Sequence, residues 1–305
     1  MTDFSARVYR LIFTAAAAYN IAFGLWASLF PRAFFNVFEL PLPRYPAIWA
    51  CLGMLVGLYG VGYAYAARRL DRAFPFIAIG LAGKVLGPIG WMIAVRSGEL
   101  PFRTFPLIVF DDLIWWVPFS LFLLEGTQFA RFFKRTAPQW CVALHIIAAG
   151  GTLLFLRAYV AAYPGRWRAG WLLWMIAALS LAGFYAWWGA RIGEIVPFAI
   201  AAVGLLCDFS GESLFIGWLP APGTLLDRIA NLLTGGAGNG LYTVAAIMLT
   251  LASPSLPLRW LAWLAWASGS ALTVATILDI RMGVVIASAA LMTFFIPWVL
   301  VMGRR

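Results

Sequence analysis

The side chains able to do chemistry here are polar groups set inside apolar runs: Asn20, Lys84, Asp111, Asp112, His145, Arg157, Asp208, Glu212 and Asn239. A charge in hydrocarbon costs at least about 2.5 kcal/mol on the insertion scale, so a chain keeps one where it pairs or lines water. Asp208 and Glu212 stand four residues apart and share one face of a helix. Two carboxyls that close favour one proton between them when no cation intervenes, the chemistry of a proton carrier or a general acid and base. Lys84 has the reach to approach Asp111 or Asp112 on the next segment. Those two point about 100° apart around a helix, so one of them faces the lysine and the spacing does not say which. Arg157 matches Glu212 in depth and is its expected ion partner.

Asn20 and Asn239 add uncharged polar groups, and the run Gly235 to Gly240 reads as a loop opening a helix, whose backbone amides are placed to hold an anion. Trp115 and Trp116 read first as packing against glycine-rich neighbours and second as a surface that grips a ligand. The expected site therefore has Asp208, Glu212, Asp111 and Asp112 as its acids and bases. Lys84, Arg157, Asn20, Asn239, Trp115 and Trp116 are its substrate-binding residues.

Other chemistries lack their parts. His145 is the only histidine, which leaves a histidine zinc site, bis-histidine haem ligation and a Ser-His-Asp triad without partners, so no metal and no cofactor is expected. His145 itself reads as a hydrogen-bonded packing residue ahead of a proton carrier. Cys51, Cys141 and Cys207 form no C-x-x-C pair and read as small packing residues. No phosphate-cradling loop follows a strand, because the pattern contains no strands.

These residues are positioned by an all-α, polytopic membrane bundle. Of 305 residues, 63% are hydrophobic and 11% charged, whereas a soluble domain carries about a quarter charged residues. Apolar spans fall near residues 9–30, 46–67, 73–95, 105–124, 140–162, 170–190, 195–218, 237–253, 260–279 and 282–301. The first follows Arg7 and Arg10, as a signal peptide would, but runs to Phe30 and reads as a retained helix. The formal charge of +10 is spread singly or in pairs at segment ends, which fits topology and anionic headgroups rather than nucleic acid.

Threading the chain from a cytoplasmic start puts twelve basic residues inside, among them Arg68, Arg69, Arg72, Arg131, Lys134 and Arg135, against nine outside. This favours the bacterial inner membrane with both termini cytoplasmic. Trp26, Trp49, Trp91, Trp167, Trp171 and Trp218 then fall toward one face, and Trp140, Trp187, Trp188, Trp260, Trp263 and Trp298 toward the other. The basic loop 125–139 divides a four-helix half, 1–124, from a six-helix half, 140–305. Residues 224–234 place Leu225, Leu226, Ile229, Leu232 and Leu233 on one side, the pattern of a short helix lying on the membrane surface.

At 1.5 Å per residue, Lys84 lies roughly 16 Å and Asn20 and Asp208 roughly 15 Å below the outer face, with Asp111, Asp112, Glu212 and Arg157 at roughly 8 to 12 Å. Only His145 sits toward the cytoplasmic end, so the polar set implies a cavity opening outward. Helix breaks are expected at Gly87-Pro88, within Asp208 to Glu212 and around Asn239, an arrangement that resembles interrupted helices binding small polar groups. Gly53 and Gly57 form a G-x-x-x-G, and Gly80, Gly83, Gly87 and Gly90 line the third span, marking helices in close contact.

The front half carries Gly24 and Pro31 at the end of its first helix, Gly53, Gly57 and Gly60 in the second, Asp71-Arg72 in the turn, then Gly83-Lys84 and Asp111-Asp112. In these it resembles the small four-helix DoxX-like bacterial membrane proteins, some of which accompany redox enzymes. That resemblance implies a membrane-protein partner. In span count alone the whole chain is similar to drug/metabolite transporters, but the internal repeat of that group is not visible.

Three functions fit such a cavity. The first is a proton-coupled carrier or binding protein for a small or amphipathic molecule. The second is a membrane-embedded enzyme acting on a lipid or isoprenoid through carboxylate acid and base chemistry. The third is a non-catalytic subunit of a membrane complex. Membrane lipids are partners in all three.

Overall fold

The computed structural model describes the backbone of residues 1–160 and 164–304, and the side chains of residues 1–153 and 168–304. Among the described residues there is no strand, and nine helices are long and apolar enough to cross a membrane. The chain is an all-α polytopic membrane protein. Its long helices are α1 (Asp3–Leu29), α2 (Pro46–Arg68), α3 (Phe74–Arg96), α4 (Phe102–Leu123), α5 (Ala137–Val160), α6 (Pro164–Ile192), α7 (Val196–Trp218), α8 (Leu225–Ala252), α9 (Arg259–Ile277) and α10 (Arg281–Met302). α5 occupies the fifth expected span, and its final residues are among those whose side chains are not described.

Local chemistry sets the helix ends. Thr2 caps α1 by accepting from the Ser5 amide, and Thr224 caps α8 by accepting from the Asp227 amide. Pro46 starts α2, where its missing N–H costs nothing. Between α2 and α3, Arg69 holds Asp71 through two hydrogen bonds, and that guanidinium keeps the Asp71 carboxyl below its ordinary range. Large apolar side chains such as Leu58, Leu86 and Ile93 face outward from the helices, as a lipid solvent requires.

The chain divides into two compact units, residues 1–130 and 131–305. In the front unit α1 and α2 are in backbone contact. A Cβ on Gly24 would lie 2.6 Å from the Gly57 nitrogen, and one on Gly53 would lie 2.8 Å from the Ala27 Cβ. The expected close packing of this glycine motif is therefore present, with α1 as its partner. α3 packs on α4, and the Tyr9 hydroxyl donates to Glu125 at 2.9 Å, joining the start of α1 to the residues after α4.

In the back unit the six helices α5 to α10 pack in chain order, and α10 returns against α5. An aromatic cluster of Phe184, Trp188, Trp266, Phe295 and Trp298 fills part of this unit. Trp188 and Trp298 are buried there, with indole N–H groups donating to Ser253 and to the Pro257 carbonyl. Both were expected at headgroup level. Polar partners inside the protein satisfy their N–H groups instead, so the apolar ring is free to join the core. Trp260 and Trp263 remain exposed.

Two further expectations need correction. Residues 224–234 do not form a separate surface helix: Leu225–Asn231 runs through a π-helical stretch, Leu232–Gly238, into Asn239–Ala252. The glycines that read as a loop are instead contact points, since a Cβ on Gly235 would meet Thr276 and one on Gly238 would meet Asp208. The expected breaks at Gly87-Pro88 and between Asp208 and Glu212 are also absent, because α3 and α7 are helical throughout both stretches. The third expected irregularity, around Asn239, is matched by the π-helical stretch Leu232–Gly238 that ends beside it, and an unexpected π-turn lies in α4, Val109–Leu113.

Candidate functional site

Each unit contains one buried polar cluster. In the front unit, Pro88 has no N–H to offer the carbonyl four residues before it, that of Lys84. The Trp116 indole supplies the missing donor at 2.8 Å, and this contact fastens α4 to α3. The Lys84 side chain is 6% exposed. Its ammonium donates to the main-chain carbonyl of Asp111 and lies 5.8 Å from the ring centres of both Tyr63 and Trp115. The amine thus hydrogen-bonds the backbone of Asp111, with the Asp111 and Asp112 carboxylates as its charged neighbours.

The π-turn of α4 explains that contact. A widened turn carries an extra residue and leaves a carbonyl without its usual donor. The carbonyls of Phe110 and Asp111 are taken up by side chains, the Trp115 indole at 2.7 Å and the Lys84 ammonium. The two aspartates diverge from this turn. The Asp111 carboxylate lies near the Tyr19 hydroxyl on α1, while the Asp112 carboxylate lies against Gly87 on α3, where a Cβ would collide with it. Asn20 is buried, and its amide donates to the Ala16 carbonyl one turn back at 2.8 Å.

In the back unit, Asp208 and Glu212 occupy one stripe of α7, and the tight approach of α8 to α7 is made at Gly204 and Gly211. The Tyr242 hydroxyl on α8 donates to Asp208 Oδ2 at 3.2 Å. The Tyr242 carbonyl in turn accepts from the Tyr185 hydroxyl on α6 at 2.9 Å. Glu212 is 2% exposed, and its Oε2 has no hydrogen-bond partner. A buried polar atom left unsatisfied is rare in native proteins and calls for an explanation. Asn239 donates to the Gly269 carbonyl at 2.7 Å and to Thr273 Oγ1 at 2.9 Å, tying α8 to α9. The Arg157 side chain, the expected partner of Glu212, lies outside the described residues.

His145 is buried. Its Nδ1 lies 2.7 Å from the Cys141 carbonyl, which can only accept, so Nδ1 carries the proton. The Trp174 and Phe295 rings stand edge-on to the imidazole. This is the packing arrangement anticipated for a lone intramembrane histidine. Among the described residues no group of three or more His, Cys, Asp or Glu side chains is placed to hold a metal ion.

The front cluster thus joins Lys84, Asp111, Asp112, Trp115 and Trp116, and the back cluster joins Asp208 and Glu212, with Asn239 one helical turn before Tyr242. Four phenols were not anticipated: Tyr19 and Tyr63 in front, Tyr185 and Tyr242 behind. A phenol carries no charge, so an argument from the cost of burying charge passes over it. The available signals were position: Tyr19 adjoins Asn20, and Tyr242 follows Asn239 by three residues on the same side of a helix. No protein-family model matches the chain, and no curated protein or solved structure shows significant similarity to it.

Proposed function

We propose that this membrane protein is a carrier or binding protein for a small or amphipathic molecule, and that Asp208 and Glu212 hold the proton that couples to it. The observation that supports this most directly is the buried Glu212 oxygen with no partner, one helical turn from a second carboxyl. Two such groups without a bound cation are most cheaply kept with one proton between them. Intramembrane acids of this kind mark ion and proton pathways. The adjoining π-helical stretch is a feature common at functional sites, and it offers an element able to rearrange when the proton leaves.

In this reading the cavity opens to the outside of the bacterial inner membrane and both termini are cytoplasmic, in keeping with the distribution of arginines. The front unit is a DoxX-like module whose Lys84 cluster steadies α3 against α4. Its approach of Gly24 to Gly53 and Gly57 accords with that kinship.

Purified protein in liposomes containing a pH-sensitive dye tests the proposal when pools of amphipathic metabolites are added across an imposed pH gradient. The expected result is uptake of one compound together with proton movement, and loss of the coupling in Asp208→Asn. Uptake that is unchanged in Asp208→Asn, Glu212→Gln and Asp111→Asn would remove the reading.

A further inference from the structure

Most of the hydrogen-bonding capacity of the back cluster is spent within the protein. The Tyr242 hydroxyl spends its proton on Asp208, the Tyr185 hydroxyl on the Tyr242 carbonyl, and the Asn239 amide on Gly269 and Thr273. The buried atoms left over are Glu212 Oε2 and, beside it in sequence, the Ser213 hydroxyl. A carboxyl pair that gives up its proton becomes negative, so a cation balances it and an anion would add to its charge.

Among the described residues, the charged groups of the helices packed on α7 are also engaged. On α6, Arg168 donates to the Ile216 carbonyl. On α8, Arg228 donates to the carbonyls of Thr276 and Ile277 and faces Asp279, and Asp227 accepts from the Gly223 amide and from Asn231. Among the described residues, Asp208 is the charged neighbour at Glu212. A bare metal ion would lack ligands there. An aromatic surface is present, however: Phe215 continues the stripe of Asp208 and Glu212 along α7, and the Trp171 ring stacks on it at 4.2 Å between centres.

We propose that the molecule taken by the back unit is a monovalent organic cation with an apolar body, and that it replaces the proton held by Asp208 and Glu212. This rests on the carrier reading and gives its substrate class. One cation enters and one proton goes to water, so the charge of the site is unchanged. The carboxyl pair meets the positive centre and the Phe215–Trp171 pair the apolar body, since cations are also attracted to aromatic rings.

Calorimetry on the full chain in nanodiscs tests this with benzyltrimethylammonium, tetraphenylphosphonium and dodecyltrimethylammonium as cations. Neopentylbenzene serves as a neutral analogue and benzenesulfonate as an anion. The expected result is that at least one cation binds about tenfold or more tightly than the neutral and anionic compounds, a difference of about 1.4 kcal/mol. Binding releases a proton, read from the dependence of the heat on buffer, and tightens as pH rises. Asp208→Asn and Glu212→Gln each weaken it about tenfold or more. The pH dependence is read on the unsubstituted protein, so the test survives a variant that fails to fold.

Failure of all three cations to bind would overturn the proposal. So would equal binding of benzenesulfonate or absence of proton release. Proton-coupled uptake of a neutral or anionic compound would refute this inference and leave the carrier reading standing. A cation bound with proton release yet never moved across liposomes would refute transport and leave the ligand class standing.

Discussion

The Trp116 indole donates to the Lys84 carbonyl, the carbonyl that Pro88 deprives of its helical donor. One residue thus repairs a defect created by another on a neighbouring helix. Replacing Trp116 with Phe keeps the ring and removes the donor, and destabilises the protein by about 1 to 2 kcal/mol. In a Pro88→Ala background the alanine N–H restores the helical bond, so the cost of Trp116→Phe falls toward zero. Reversible unfolding in mild detergent across the four variants of this cycle measures the coupling, and strictly additive effects would show the repair to be unimportant.

Glycines on a single face of α3 behave differently. A Cβ at Gly87 would strike the Asp112 carboxylate, while none at Gly83 or Gly90 meets any atom within 4 Å. Gly87→Ala therefore costs about 1 to 3 kcal/mol through overpacking, and Asp112→Ala in the same chain recovers much of it. Gly83→Ala and Gly90→Ala are neutral or stabilising, because alanine is the better helix former by up to about 1 kcal/mol. Thermal midpoints of the four variants decide the matter.

The G-x-x-x-G of α2 is likewise unequal. Gly53 presses on Ala27 and Ser28, whereas a Cβ at Gly57 finds only the Gly24 Cα at 3.9 Å. Gly53→Ala separates α1 from α2, with a lower melting temperature and greater protease sensitivity, while Gly57→Ala is tolerated. Equal effects at the two positions would show that motif spacing, and not this particular contact, governs the pair.

Topology is open to direct measurement. The proposed topology of ten crossings with both termini cytoplasmic predicts that reporter enzymes fused before Asp3 and after Arg305 give the same cytoplasmic signal, and one inserted at Gly98 the opposite signal. A terminal pair that disagrees would mean an odd number of crossings.

The spans could be read from the chain because some twenty apolar residues in a row have few alternatives. The pairing of Asp208 with Glu212 on one stripe followed from a separation of four residues. The two π-helical stretches could not be read in this way, since a widened turn depends on which side chains reach the freed carbonyls, and that is settled between helices. Gly87 illustrates the same limit. Pro88 beside it suggested a broken helix, yet the glycine makes room for Asp112 while Trp116 supplies the lost hydrogen bond. The run Gly235 to Gly240 misled in the same manner: composition favoured a loop, but contact with Asp208 and Thr276 holds it within a helix.

In the back unit, Trp298 lies 5.1 Å from Trp188 and 5.2 Å from Trp266 between ring centres. Indoles held that near at fixed angles exchange excitation and give a coupled band in near-ultraviolet circular dichroism. That band is a built-in optical signature of correct assembly of α6, α9 and α10, readable in a membrane without label or substrate.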